Sequence, residues 1–303
     1  MRADITALLV VVVSLTTGLT SVGAGARRVS PVSARTTGGP FLYKVVPGDS
    51  LVSLGARHGI DPREIALANG LKLGGAIAPG LTLRLDNRHI VPIFEDEVVL
   101  VINVPQRMLF FTGSQPAMGF PAGLGRRDWP TPLGEFSVIA REENPTWDVP
   151  TSIQAEMRRE GRTVVQKVSP GPTNPLGAFW LGLSLGSVGV HGTNAPLSIF
   201  RHVTHGCVRM HPDDIARLYP LVPLGARGRI VYEPVLLAQT PGGILLEAHP
   251  DVYRRMTRNA LSLVRETATA AGIGSEIDWA EAANVLQARR GIATRVDCSG
   301  EDC

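Results

Sequence analysis

Residues 188–219, VGVHGTNAPLSIFRHVTHGCVRMHPDDIARLY, gather four of the chain's seven histidines around Cys207. A cysteine attacks a carbonyl only as the thiolate, so it needs an imidazole to take its proton and polar hydrogens to hold the oxyanion that forms. His191 and His205 both offer that imidazole. His191 precedes Cys207 by sixteen positions, beyond the reach of a local turn. The two meet only if a strand carrying His191 runs beside the loop carrying Cys207. Val188 and Val190 alternate with small residues as a strand does, Gly192 can break it, and residues 193–202 are long enough to return as a loop. Gly206 lets the backbone approach a substrate and leaves amides near Cys207 to face a developing negative charge. Two other readings use the same residues. His191, His205, Cys207 and His211 could ligate zinc, although the spacing forms no CxxC or HxxxH pair, and a buried cysteine among packing histidines could be inert.

The elements around this stretch must position it. Pro212 opens a short helix with Asp213 and Asp214 in its first turn and Ile215, Leu218 and Tyr219 facing inward, which fixes the loop behind Cys207. From residue 98 the texture is all-β: residues 98–104, 107–111 and 136–140 are strand-like runs separated by Gly and Pro, Pro105-Gln106 fits a hairpin turn, and residues 222–234 add closing strands. This predicts a β-sandwich with the active loop at its rim. Trp129, Trp147 and Trp180 line a groove for an extended peptide or belong to the core.

His191-Gly192-Thr193-Asn194 followed by Thr204-His205-Gly206-Cys207-Val208-Arg209-Met210 resembles the signature of the L,D-transpeptidase catalytic domain, also called the YkuD domain. Thr131-Pro132-Leu133-Gly134-Glu135-Phe136, Glu143-Asn144-Pro145-Thr146-Trp147 and Asn174-Pro175-Leu176-Gly177 stand in the order that family shows. The resemblance covers residues 97–236. It implies that Cys207 is the nucleophile and His191 its general base, with the Gly192 carbonyl orienting the imidazole and His205 on the oxyanion side. Thr193, Thr204, Gly206 and Arg209 would contact substrate. Arg209 would bind a substrate carboxylate or brace the loop, unless it pairs with Asp213 or Asp214. No metal, nucleotide or other cofactor is implied.

Residues 42–86 read as strand, helix, helix, strand. Gly48-Asp49-Ser50 turns into a first helix with Leu51, Leu54 and Ala56 inside, Asp61-Pro62 starts a second carrying Ile65 and Ala68, and Pro79-Gly80 turns into a closing strand. With Asn69, these residues resemble a LysM module, a family that binds N-acetylglucosamine-containing glycans; a βααβ unit that only packs on its neighbour is the alternative. Residues 1–26, with Arg2, an apolar run and Ala24-Gly25-Ala26, read as an export signal, and the uncharged run is also long enough to stay as a membrane anchor. Residues 27–41, rich in Ser, Thr, Gly and Pro, read as a linker. Residues 237–303 read as a mostly helical extension, with a strand at residues 244–247, one helix over residues 250–271 and a second from Asp278 to Gly291. Cys298 and Cys303 are close enough to form a small disulfide loop, leaving Cys207 as the odd thiol.

At 303 residues, 44% hydrophobic and 19% charged, the chain is long enough for two domains, and its net charge of +3 does not argue for nucleic acid. The resemblance implies an exported enzyme of the periplasm or cell envelope acting on peptidoglycan. Cys207 would form an acyl-enzyme with a tetrapeptide stem and release D-alanine. An amine would then resolve it, giving a cross-link or, with the lysine of an outer-membrane lipoprotein, wall attachment; Glu233-Pro234-Val235 and the domain order are similar to the lipoprotein-attaching members. A cysteine hydrolase trimming stems would share every residue, and a non-catalytic wall-binding LysM protein is the remaining alternative.

Overall fold

The computed structural model of the protein describes residues 32–94 and 96–298. The expected export signal and Cys303 lie outside them. The chain enters through β1 (Thr36–Thr37) and β2 (Pro40–Lys44), then runs through α1 (Leu51–His58), α2 (Pro62–Ala68) and β3 (Thr82–Asp86). Ser50 caps α1 reciprocally: its hydroxyl accepts the Ser53 amide at 3.0 Å and the Ser53 hydroxyl accepts the Ser50 amide at 2.8 Å. Asp61 caps α2, with Pro62 in the first turn. β2 pairs antiparallel with β3, and Leu51, Leu54, Ile65 and Leu83 fill the space beneath the helices. Ala66, rather than the expected Ala68, is the buried alanine of α2.

The segment read as a linker is woven into the fold where it is described. β1 pairs with β4 (His89–Ile90), the Ser33 amide donates to the Leu237 carbonyl at 2.9 Å, and the Ser33 hydroxyl donates to the Val91 carbonyl at 2.7 Å. Small hydroxyl residues allow this, because their polar atoms find partners when buried.

β5 (Leu100–Asn103), β6 (Met108–Phe111), β7 (Met118–Gly125) and β8 (Gly134–Glu143) follow. A short excursion of β9 (Trp147–Asp148), α3 (Thr151–Arg159) and β10 (Lys167–Val168) leads to β11 (Phe179–Leu183), β12 (Gly189–His191), β13 (His202–Thr204), β14 (Val208–Met210), α4 (Pro212–Leu218) and β15 (Arg227–Val231). The strands are ordered β7-β14-β12-β11-β8-β15-β5-β6, and β6 pairs back onto β7 while β13 lies parallel on its far side. The expected sandwich therefore closes on itself as a barrel, which leaves no long free edge. Leu100, Ile102, Leu109, Phe120, Leu181, Val190 and Val208 meet inside it.

The chain ends in β16 (Val235–Thr240), β17 (Gly243–Ala248), α5 (Ala260–Ala270), α6 (Trp279–Ala288) and β18 (Thr294–Arg295). The extension is thus a three-stranded sheet with two helices packed on it, less helical than its sequence reads. α5 starts at Ala260 and not near residue 250, because the Asp251 carboxylate takes the Arg255 and Met256 amides in a turn and Asn259 then caps the helix. Among the described residues no helix is long and apolar enough to cross a membrane.

Candidate active site

Strand alternation builds the site. Leu181 on β11, Val190 on β12 and Val208 on β14 are fully buried in the barrel, so the next residue along each strand points the other way. Those residues form one lateral row: Glu142 opposite Trp180, Trp180 opposite His191, and His191 beside Arg209. The row lies in an open groove of about 1090 Å³ that also takes in Cys207, Thr204, His205 and Gly206. His191 and Cys207 both line this groove, since the parallel pairing of β12 with β14 sets His191 beside the strand that Cys207 leads into. Trp129, Trp147 and Trp180 all line this groove.

His191 is 3% exposed, and its ring stacks on the Trp180 indole at 5.7 Å between centroids. Its Nδ1 lies 2.7 Å from the Gly192 carbonyl. A carbonyl only accepts, so Nδ1 carries the hydrogen and Nε2 keeps its lone pair in the neutral ring. Burial, with the Arg209 charge, pushes His191 down to about 3 against the pull of the Gly192 and Leu176 carbonyls. Burial likewise pushes the Cys207 thiol up, while a hydrogen bond from Gly189 and the Arg209 charge draw it down in part. The resting pair is neutral. Gly189 is required by packing: a Cβ there would stand 2.3 Å from the Trp180 indole.

The loop carrying Cys207 is closed by Thr204, whose hydroxyl donates to the Cys207 carbonyl at 2.7 Å and accepts the Gly206 amide at 3.2 Å. Gly206 has φ +105, a left-handed backbone that favours glycine. Its amide is thereby engaged, a correction to the expectation that the amides near Cys207 are free. The Cys207 amide itself has no acceptor among the described residues. Thr193 is also placed differently from its expected role: its hydroxyl accepts the Ala195 amide at 3.0 Å, and it lies outside the groove wall. Arg209 pairs with neither Asp213 nor Asp214; it donates to the Ser198 hydroxyl at 3.0 Å. Asp213 pairs instead with Arg57 at 2.7 Å and Asp214 with Arg217 at 3.9 Å.

His205 turns its Nε2 to the Glu156 carboxylate on α3 and its ring edge to Trp129, 4.7 Å away. Arg126 donates to the same carboxylate at 2.5 Å, and together Arg126 and His205 hold Glu156 below the usual carboxylate range. None of Glu156, Arg126 or the Trp180 stack is evident from sequence spacing. A helix over α3 is signalled by Pro150 before it, Gln154 to Arg159 within it and Gly161 after it.

The zinc reading fails on geometry. His205 is committed to Glu156, and His211 accepts from Arg57 at 2.8 Å and the Asp213 amide at 3.3 Å. Among the described residues the group that does converge is His89, Glu247 and His249, all buried. Glu247 Oε1 lies 2.7 Å from His89 Nδ1 and 2.7 Å from His249 Nε2. Those are hydrogen-bond separations, shorter than the roughly 3.3 Å between ligand atoms around tetrahedral zinc. Cys298 is in a disulfide, and Cys207 is a free thiol.

A free thiol on the loop into β14 and an imidazole with an open nitrogen on β12, both lining one peptide-sized groove, are the parts of a cysteine acyl-transfer site. Residues 97–235 match the L,D-transpeptidase catalytic domain, YkuD, and residues 43–86 match the LysM domain. The probable L,D-transpeptidase ErfK/SrfK of Salmonella typhimurium is 26% identical over 286 residues, 88% of this chain and 89% of that protein. The putative L,D-transpeptidase YkuD of Bacillus subtilis is 30% identical over 193 residues, 62% of this chain and 96% of that protein. A crystal structure of L,D-transpeptidase 3 from Mycobacterium tuberculosis is similar over 69% of this chain and 98% of that one, at 14% identity and a TM-score of 0.34. The chain belongs to the L,D-transpeptidase family and carries a LysM domain ahead of the catalytic domain.

Proposed function

We propose that the protein acts in the cell envelope on peptidoglycan, with Cys207 as nucleophile and His191 as the group that moves its proton. The observation that carries this reading is the neutral thiol and imidazole in one groove, His191 on β12 and Cys207 on the loop into the neighbouring β14, with His191 Nδ1 committed to Gly192 and Nε2 left to accept. As Cys207 Sγ bonds to the carbonyl of the third stem residue, its proton passes to His191 Nε2. The C–N bond to D-alanine then breaks, and the leaving nitrogen takes that proton. The Cys207 amide, with His205 beside it, faces the oxyanion. Arg209 is braced by Ser198 and binds the donor's carboxylate. Thr204 and Gly206 act by shaping the loop. The LysM domain holds the glycan, and the thioester is resolved by a stem amine, by a lipoprotein lysine or by water.

Intact mass spectrometry of the protein mixed with a disaccharide-tetrapeptide tests this. A mass gain equal to substrate minus D-alanine is expected in the wild type and absent in Cys207→Ala. No adduct and no turnover, with the protein still pelleting with peptidoglycan, would leave a binding protein and sink the catalytic reading. Products formed with added amines then separate transfer from hydrolysis.

A further inference from the structure

The row that carries His191 is electrically asymmetric. At one end stands Arg209, and at the other, beyond the Trp180 indole, stands Glu142. At about 4.8 Å per strand, the two backbone positions are about 14 Å apart with His191 between them. Glu142 is exposed in the groove and forms no ion pair or hydrogen bond among the described residues. Other carboxylates nearby are committed: Asp148 to Lys167 at 3.4 Å and Glu156 to Arg126 and His205. The neighbouring Glu143 stands on the opposite face of its strand.

We infer that Glu142 and the Trp180 face form the acceptor side of the groove and select a primary ammonium. This rests on the proposed acyl-enzyme. A carboxylate attracts the cation, and the indole face supplies a cation–π surface between Glu142 and the His191 column. The ammonium that Glu142 draws into the groove passes along the Trp180 indole toward His191, releases one proton to solvent, and its nitrogen attacks the thioester carbonyl. A C–N bond forms and the C–S bond breaks. The second proton passes through His191 Nε2 to Cys207 Sγ, regenerating the thiol. Water gains nothing from Glu142, so the residue sets the ratio of transfer to hydrolysis.

The test follows the acylated protein with three nucleophiles: a cationic amino-acid amide bearing a primary amine, hydroxylamine, which is neutral at pH 7, and water. Wild type, Glu142→Gln and the control Glu143→Gln are first checked for equal acyl-adduct formation by intact mass. Glu142→Gln is expected to lower transfer to the cationic amine about 5- to 10-fold, through KM for the acceptor, while leaving hydroxylamine and water unchanged. The wild-type preference for the amine should also fall with added salt and that of Glu142→Gln should not. An equal loss with hydroxylamine, or no loss with the amine, overturns the assignment while the acyl-enzyme stands. Absence of the wild-type adduct overturns the catalytic reading beneath it.

Discussion

Cys207 and His191 begin neutral, because burial raises the one and lowers the other while Arg209 nearby favours a thiolate and disfavours an imidazolium. A preformed thiolate–imidazolium pair would alkylate at a rate already level near neutrality. Here the rate of Cys207 alkylation by iodoacetamide should climb by about tenfold per pH unit between 7 and 8 and keep rising through pH 9. Arg209→Gln should move that rise to still higher pH, since it removes the cation that favours the thiolate. A plateau below pH 7 in the measured profile would show that the ion pair forms without substrate. Slow alkylation at neutral pH thus does not distinguish an inert thiol from a catalytic one, whereas the acyl adduct does. The thiol, the histidines and the loop glycine are legible in the sequence because they crowd into one short stretch whose alternation forces a strand beside a loop. Trp180 against Gly189 and Glu142 at the end of the row are not, since strand register over long separations decides them.

Among the elements, α3 is the one that reaches the site from outside the barrel. It is held there through Glu156, which joins Arg126 and His205, and among the described residues its flanking strands β9 and β10 pair with each other alone. Met157 is the other buried residue of the helix, so few apolar contacts hold it in place. Elements with so little buried surface open locally at low cost, and removing their polar tether shows first in exchange. Glu156→Gln should therefore speed amide hydrogen exchange across Thr151–Arg159 while the exchange of β11 and β12, fixed by the barrel core, stays as in the wild type. Equal exchange in variant and wild type would mean that the groove wall does not depend on the tether. The same comparison reads a pH effect with a defined sign. Glu156 is held below its ordinary value, so its contribution is present above the unfolded carboxylate pKa and fades as pH falls through the depressed one. Of the strands that carry the row, β12 and the first half of β8 are legible from patterning, while β11 and β14 are not; the helices α1, α2, α4 and α6 are legible from their caps. The closure of β6 onto β7 is not legible, because patterning gives a strand its faces and says nothing of which neighbour completes the sheet.

Across the whole molecule, the LysM domain, the barrel and the C-terminal sheet meet at His89, whose buried ring has an oxygen acceptor at each nitrogen: Glu247 Oε1 at 2.7 Å and the Gly59 carbonyl at 2.9 Å. Only the imidazolium can donate twice, so His89 is charged and Glu247 is its counterion. Burial alone would lower His89, but the charge and hydrogen bond of Glu247 raise it; burial alone would raise Glu247, but His89 and His249 hold it below the usual carboxylate range. Glu247 also takes the Ile90 amide at 2.6 Å and the Gln106 amide group at 3.0 Å, so it touches the inter-domain strand and the barrel hairpin at once. Arg57 to Asp213 at the surface, with 44% and 63% of the two side chains exposed, contributes at most about 1 kcal/mol by comparison. Glu247→Gln leaves a buried imidazolium without its charge partner, and about 3–5 kcal/mol of unfolding free energy should be lost near neutral pH by denaturant titration. The pH dependence has two limits. The Glu247 contribution is present above the unfolded carboxylate pKa and is lost as pH falls through its depressed value. The His89 contribution is complete below the unfolded histidine pKa and is lost as pH rises through its raised value. The gap between wild type and Glu247→Gln should therefore be widest from about pH 5 to about 6.5 and narrow as pH rises above that, as His89 gives up its proton in the wild type. A gap that stays constant as pH rises past that range would mean that the triad joins the three units by packing and not by charge.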